Sequence, residues 1–388
     1  MESIFLNNLA DIVSGYAIPS KDMQEEGTPI IKITNIKEDG FLDLDNTAKY
    51  SKPISKKLEK YLLRDKDVLV CMTGATIGKI ARKQIVNGDF LVNQRVAIIR
   101  AKKPKLQDFI YYALSLPSFR KYTEVVGYGA AQPNISSSSI GKYNFLSVSN
   151  ERVQHRIASI LSTYDSLIEN NTKRIRLLEK MAENLYKEWF VRFRFPGHEN
   201  VEMENGLPKG WKRGSLSDVC EFKRGKNITS SEMQEGNVPV ISAGLEPSGY
   251  HSCSNVRGVN VTMSSSGANA GYIAIHYSDI WAADCSYIEE STTGNIYYVY
   301  ELLNNIRTVI NNFQRGAAQP HVYPKDVNRI KLILPSKELM LKANGRLEIM
   351  HKEIYNLQKQ NSLLARQRDL LLPRLMSGKL EVKEELLE

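Results

Sequence analysis

The feature that most constrains this chain is that it repeats itself. Gly129-Ala130-Ala131-Gln132-Pro133 recurs as Gly316-Ala317-Ala318-Gln319-Pro320, and each copy lies shortly before a long segment with heptad spacing. Other fragments match in the same order. Leu9-Ala10-Asp11-Ile12-Val13 parallels Leu216-Ser217-Asp218-Val219-Cys220, Gly27-Thr28-Pro29-Ile30-Ile31 parallels Asn237-Val238-Pro239-Val240-Ile241, and Thr73-Gly74-Ala75-Thr76-Ile77-Gly78 parallels Ser266-Gly267-Ala268-Asn269-Ala270-Gly271. The offset falls from 207 at Leu9/Leu216 to 193 at Gly74/Gly267 and 187 at Gly129/Gly316, so the first copy is longer by about 20 residues, inserted in its loops. A common frame with divergent interiors predicts two similar domains. The 388 residues suffice for two or three cores.

The blocks span about 1–150 and 211–336. In the first, Pro29-Ile30-Ile31-Lys32-Ile33, Asp67-Val68-Leu69-Val70-Cys71 and Arg95-Val96-Ala97-Ile98-Ile99 are short β-branched runs expected as strands. Leu106 to Leu116 and Ser118 to Val126 read as short helices split at Pro117, and Asn144 to Val148 closes the block as a strand. The expected class is α+β: two similar α/β domains joined by two long helices that form an antiparallel intramolecular coiled coil with pseudo-twofold symmetry. The first helix belongs to 151–195 and the second to 337–380, where Pro373 is expected to kink it or end it early. Pro196-Gly197, Asn205-Gly206, Pro208 and Gly210 mark 196–210 as a linker, and 381–388 is a tail.

Heptads set the expected helix pairing. Leu161, Ile168, Ile175, Ala182 and Trp189 recur every seven residues, with Ile157, Tyr164, Asn171, Leu178 and Leu185 at the complementary positions. The second helix offers Leu347, Ile354, Asn361, Arg368 and Leu375, beside Ala343, Met350, Leu357, Leu364 and Leu371. Each helix would be about 60 Å long and cannot bury its stripe alone. Chain order favours an antiparallel pair within the molecule; an intermolecular coiled coil is the alternative. Asn171 facing Asn361 selects the register, because an Asn opposite Ile would be a buried polar group without a partner, costing roughly 1–3 kcal/mol.

The composition is that of an ordinary globular protein, 42% hydrophobic and 24% charged, with a net charge of +9 that favours a polyanionic partner. No apolar run approaches the roughly 18 residues of a membrane span, and the N-terminus lacks a signal-peptide pattern, so a cytoplasmic location is expected. Cys71, Cys220, Cys253 and Cys285 are scattered and read as reduced, buried thiols; no metal-ligand spacing joins them to histidines. Gly74-Ala75-Thr76-Ile77-Gly78-Lys79-Ile80 resembles a phosphate-binding loop but is one residue short, and Ile80 replaces the Ser/Thr that would hold magnesium. A glycine-punctuated strand-turn-strand is the better reading. Neither HExxH nor GxSxG occurs, and no Pro-Pro dipeptide is present, so the loop used by amino-methyltransferases is missing. Nothing assembles into a catalytic constellation, so the chain reads as a binding protein and not an enzyme.

A basic protein with two divergent reading blocks suits duplex DNA carrying a bipartite site. Basic and amide side chains in expected loops are Lys79, Arg82, Lys83, Asn93, Gln94, Arg95, Tyr128, Gln132 and Asn134 in the first block. In the second they are Lys223, Arg224, Lys226, Asn269, Arg315, Gln319 and His321. Arg and Lys neutralise phosphates and reach guanine edges; Asn and Gln pair with adenine edges. Any one of these alone also fits a solvated surface residue, and Gln132 and Gln319, each before a proline, equally fit loop caps. Two readings compete: a stand-alone nuclease or methyltransferase, and a coiled-coil adaptor that binds DNA without sequence preference.

Leu185-Tyr186-Lys187-Glu188-Trp189-Phe190-Val191-Arg192-Phe193 followed by Leu207-Pro208-Lys209-Gly210-Trp211 resembles the central conserved region of type I restriction–modification specificity subunits. Arg368-Asp369-Leu370-Leu371-Leu372-Pro373-Arg374-Leu375-Met376-Ser377-Gly378-Lys379-Leu380 resembles that family's C-terminal conserved region, and the Gly-Ala-Ala-Gln-Pro motif fits in both copies. The resemblance covers nearly the whole chain. It implies two target-recognition domains, each reading half of an asymmetric bipartite sequence, with the helices as a ruler for the spacer. It implies two modification subunits as partners, carrying S-adenosylmethionine and methylating adenine, and possibly two restriction subunits that use ATP and Mg. This chain itself would bind no cofactor or metal. The family's base contacts vary with target, so no base-reading residue is carried over.

Overall fold

The computed structural model describes residues 2–37, 40, 42–44, 47–82, 88–128, 133–148, 150–316 and 319–382. It contains two compact units: Met1–Glu169 with Ser362–Glu388, and Asn170–Asn361. Each unit holds one of the repeated blocks together with part of both long helices.

The first unit is built on a four-stranded antiparallel sheet ordered Ala10–Ser14, Val96–Ala101, Val68–Cys71, Ile80–Arg82. Its central strands are near-continuous apolar runs because both faces are covered. Val68 and Val70 lie in a core with Phe109, Ile110, Phe119 and Leu161; Leu69, Cys71 and Ile98 face Ile31, Phe90 and Val92. A second sheet orders Met23–Gln24, Ala48–Tyr50, Thr28–Ile31 and Leu91–Val92, the last two being parallel. The helices Gln107–Leu114 and Pro117–Gly127 come next, the second opening on its proline, whose missing N–H costs nothing at a helix start. Gln107 fastens the first of them to the sheet: its amide accepts from Ala101 N at 2.6 Å and donates to Ile99 O at 3.0 Å.

The second unit repeats this plan. Its main sheet orders Lys223–Arg224, Cys285–Glu289, Asn260–Ser264, Ile273–His276, and a smaller one orders Gly249–His251, Val238–Ile241, Trp281–Ala282, again with one parallel pair. In place of Gln107, Asn344 on the second long helix accepts from Tyr297 N and Tyr298 N, both at 3.1 Å, and so caps the helix Ile296–Asn305. The segment expected as a bare linker carries a small hairpin, Met203–Glu204 with Leu207–Pro208, turning through Asn205-Gly206, both at positive φ.

The long helices run Glu151–Tyr186, continued by a π-helical turn Lys187–Val191, and Lys337–Met376. Both start on a side-chain cap: Asn150 Oδ1 accepts from Arg152 N at 2.9 Å, and Ser336 Oγ accepts from Leu339 N at 3.3 Å. The second helix passes through Pro373 and ends three residues later, so the proline neither stops it nor shortens it much. The helices pair antiparallel within the chain. In the first unit Arg368 Nη1 donates to Asp165 at 2.6 Å; in the second Arg174 Nη2 donates to Glu353 at 2.7 Å. Asn171 and Asn361 occupy one layer, the register expected from pairing the two amides, but each amide bonds a neighbour of the other. Asn171 Nδ2 donates to Gln360 Oε1 at 3.4 Å and Asn361 Nδ2 to Thr172 Oγ1 at 3.3 Å. The two amide nitrogens therefore donate diagonally across the seam, while Asn361 Oδ1 is buried without a partner among the described residues.

Cys71, Cys220 and Cys285 are buried, and burial pushes the thiols of Cys220 and Cys285 up to about 12. Cys253 departs from the expectation. It is exposed, because it falls just past the strand Gly249–His251, with its Sγ 3.3 Å from His251 Nε2. No helix among the described residues is long and apolar enough to cross a membrane.

Candidate nucleic-acid interface

The repeated motifs meet at one end of each main sheet. After the strand Val68–Cys71 the chain makes a 3-10 turn, Gly74–Thr76, and returns as Ile80–Arg82. Gly74 and Gly78 sit at φ 70° and 77°, values that favour glycine. The turn is closed by Ile77 N to Gly74 O and Gly78 N to Cys71 O. Gly267–Asn269 does the same in the second unit, with Gly267 and Gly271 at φ 74° and 84°, Ala270 N bonded to Gly267 O and Gly271 N to Ser264 O. This is the strand-turn-strand expected from the glycine spacing.

The proline of the Gly-Ala-Ala-Gln-Pro motif docks on that turn. Gly74 N donates to Pro133 O at 2.9 Å and Gly267 N to Pro320 O at 3.0 Å. Ile135 N then bonds Met72 O, and Val322 N bonds Ser265 O. The bridges Thr73/Asn134 and Ser266/His321 complete the match. A third loop joins from the neighbouring strand: Met72 N donates to Arg95 O at 2.9 Å, and Ser265 N to Asp284 O at 3.4 Å. The same three-loop platform is thus built twice, from backbone hydrogen bonds that do not depend on the side chains they present.

Those side chains differ. In the first unit Gln94, Arg95 and Asn134 are exposed on the platform, and Tyr128 leads into it with 88% of its surface exposed. Lys79 is half-buried at the end of the turn. Two expected readers face inward. Arg82 binds Asp108 at 3.0 Å and Asp165 at 3.4 Å and lies 4.4 Å over the Tyr111 ring. Asn93 is buried, its Oδ1 accepting from Arg95 N, so it shapes the loop that carries Gln94 and Arg95. Lys83 and Gln132 lie outside the described residues, as does most of the first motif copy. In the second unit Lys223, Arg224, Lys226, Arg315 and Gln319 are exposed, while Asn269 and His321 are half-buried. Arg315 and His321 exchange backbone hydrogen bonds, which closes a short hairpin around the motif, and the His321 ring stacks towards Tyr323. Arg224 Nη2 donates to Asp284 Oδ1 at 2.6 Å, and Asp284 Oδ2 accepts from Ser266 Oγ.

Residue type points to basic and amide groups, and to the serines Ser136 to Ser139 and Ser264 to Ser266 for short phosphate contacts; it gives no sign of Asp284. The repeat does hold a signal, since Asp284 follows Trp281-Ala282-Ala283 where the first copy has Leu91-Val92-Asn93-Gln94-Arg95, but a one-residue difference hides the correspondence. Outward-facing apolar residues on the long helices also went unremarked: Leu167, Leu363 and Leu370 in the first unit, and Leu177, Met181, Leu341 and Ile349 in the second, each between 48% and 72% exposed.

The architecture is thus a doubled α/β frame with two long helices and twin loop platforms. The model of the type I restriction modification DNA specificity domain matches residues 1–180 and 208–361, and the chain belongs to that family. The type I restriction enzyme MjaIX specificity subunit of Methanocaldococcus jannaschii is 25% identical over 344 residues, 82% of this chain and 79% of that one. A putative type I specificity subunit of Mycoplasma genitalium, S.MgeORF438P, is 25% identical over 317 residues, covering 80% and 81%. The crystal structure of a type I restriction-modification S subunit from M. genitalium superposes with a TM-score of 0.62 at 22% identity, covering 97% of this chain and 96% of that one, and it shares the fold.

Proposed function

We propose that this chain is the DNA-reading, non-catalytic subunit of a type I restriction–modification complex. Each unit reads one half of a split duplex target through its three-loop platform, and the paired helices set the gap between halves. The observation that carries this reading is the platform itself, whose three loops are joined by matching backbone hydrogen bonds in the two units and differ in their exposed side chains. Backbone positioning fixes the frame, while Gln94, Arg95, Tyr128 and Asn134 in one unit and Arg224, Lys226, Gln319 and His321 in the other vary the message. Lys79 and Lys223 suit phosphates, which would give binding a steep salt dependence, whereas Arg315 is paired with Asp326 at 3.0 Å. The exposed apolar residues of the helices suit docking of modification subunits, which would supply S-adenosylmethionine and the adenine methylation.

The test is binding selection on randomised duplex with the assembled complex. The expected product is a motif of two short halves. Replacing Gln94 and Arg95 together by alanine should relax one half and leave the other intact. Equal loss in both halves, or no selected motif, would contradict two independent reading units and favour the non-specific adaptor.

A further inference from the structure

We infer that Arg224 reads a guanine edge in the half-site served by the second unit, and that Asp284 and Ser266 are the residues that aim it. This rests on the DNA-reading role proposed above and assigns it to particular groups.

Arg224 ends the strand Lys223–Arg224, opposite Ser286, and is followed at once by Gly225, whose N–H bonds Cys285 O. Its side chain is 45% exposed, and one edge of the guanidinium is held by Asp284 at 2.6 Å. Asp284 is held in turn. Its other carboxylate oxygen accepts from Ser266, a buried residue that opens the Gly267 turn and is bridged to His321. A rigid turn therefore fixes a serine, the serine a carboxylate, and the carboxylate an arginine. The fork is oriented before DNA arrives, so less rotamer freedom is lost on binding. One Nη2 hydrogen bond is used internally, which leaves donors enough for the O6/N7 pair that guanine presents in the major groove.

The carboxylate also decides what the arginine suits. A phosphate oxygen placed on this guanidinium would meet the Asp284 charge beside it, whereas a neutral base edge would not. The paired arginine is thus better matched to a base than to the backbone.

Comparison of the units supports the assignment. The residue corresponding to Asp284 in the first unit is Arg95, whose carbonyl receives the matching backbone bond, and the residue corresponding to Arg224 is Ser14, followed by Gly15. Each unit carries an arginine at this corner of the platform, Arg224 at the end of a strand and Arg95 in the turn before the strand Val96–Ala101. That is the change expected if the corner is used to read a base in each half and the position or identity of that base differs.

The experiment uses the full chain assembled with its modification subunits, comparing R224K, D284N and the parent by binding selection and by competition against single-base variants of the selected site. Arg224→Lys keeps the charge and loses the fork; Asp284→Asn keeps the shape and loses the charge. Both should relax one position of the second unit's half-site, a guanine in the parent, with discrimination falling roughly 10- to 100-fold for R224K and less for D284N. The other half should stay as selective as before. Unchanged discrimination in R224K, or a uniform weakening across all sequences, would overturn the proposal in favour of a solvated or phosphate-bound arginine. Loss of both halves in D284N would assign Asp284 to folding and remove it from the reading set. A parent complex that selects no split motif would fail the role proposed for the chain, an outcome distinct from all of these.

Discussion

Single residues set the frame of each unit through backbone proximity. At Gly15 an added Cβ would lie 2.3 Å from Asn93 O, and at Gly225 it would lie 2.5 Å from Ala283 O. Both glycines let the first strand of the main sheet run against the neighbouring loop, which carries Gln94 and Arg95 in the first unit and Asp284 in the second. Gly225→Ala should therefore cost roughly 2–3 kcal/mol, read as a fall in the urea midpoint, and should distort the second platform. His276 gives a pH prediction. Its Nε2 lies 2.8 Å from Thr262 Oγ1 on the adjacent strand, and burial lowers its pKa to about 4. The unfolded chain then binds the extra proton between about pH 6.5 and 4, so stability is full above about 6.5 and falls as pH drops towards 4, by no more than a few kcal/mol. His276→Gln should flatten that acid limb of the melting temperature. An unchanged limb would place the acid sensitivity elsewhere. Neither residue stood out in the sequence, because burial and close approach depend on which strands become neighbours.

At the scale of elements, the junction between each recognition block and its long helix is keyed by a buried polar cluster. Counted from the helix starts, Asp165 corresponds to His351. Asp165 accepts from Tyr112 Oη at 2.6 Å and is bound by Arg82 and Arg368. His351 is buried, bonded to Glu301 at 3.2 Å and to Tyr277 at 2.9 Å, among the rings of Tyr297 and Tyr300. The acid sits on the long helix in one unit and on the shorter helix in the other. Asp165→Ala leaves two arginines facing each other and should destabilise the first unit by on the order of 3 kcal/mol; a loss under 0.5 kcal/mol would show that solvent already screens the cluster. Much at this scale was legible in the sequence. Strands at 28–31, 68–71 and 96–101, the break at Pro117 and the antiparallel helix pair arise from β-branched runs, proline chemistry and heptads. The Asn171/Asn361 layer was legible too, but not that each amide would turn to a neighbour, since pairing the two amides gives the layer and not the rotamer. The inward turn of Arg82 was likewise hidden: residue type marked it as a reader, and only the fold brings Asp108 and Asp165 to it.

At the scale of the molecule, the proposed account joins two platforms by a helical spacer. Domains bound to one face of B-DNA are expected about one helical turn apart, roughly 34–36 Å. Inserting four residues in the first long helix rotates the downstream part of that helix by about a tenth of a turn and shifts it by about 6 Å. The selected gap should change or binding should be lost; an unchanged gap would contradict the spacer role. Ile349→Glu with Leu177→Glu should weaken assembly with modification subunits while leaving the chain folded, as read by co-purification and melting temperature; undiminished assembly would place the docking surface elsewhere. The most direct test of the central claim is a map of methylated adenines in cells that carry the chain and its modification subunit, compared with cells lacking only the chain. The account predicts a split motif with a fixed gap that disappears when the chain is removed. A motif that persists without the chain, or none in its presence, would contradict it.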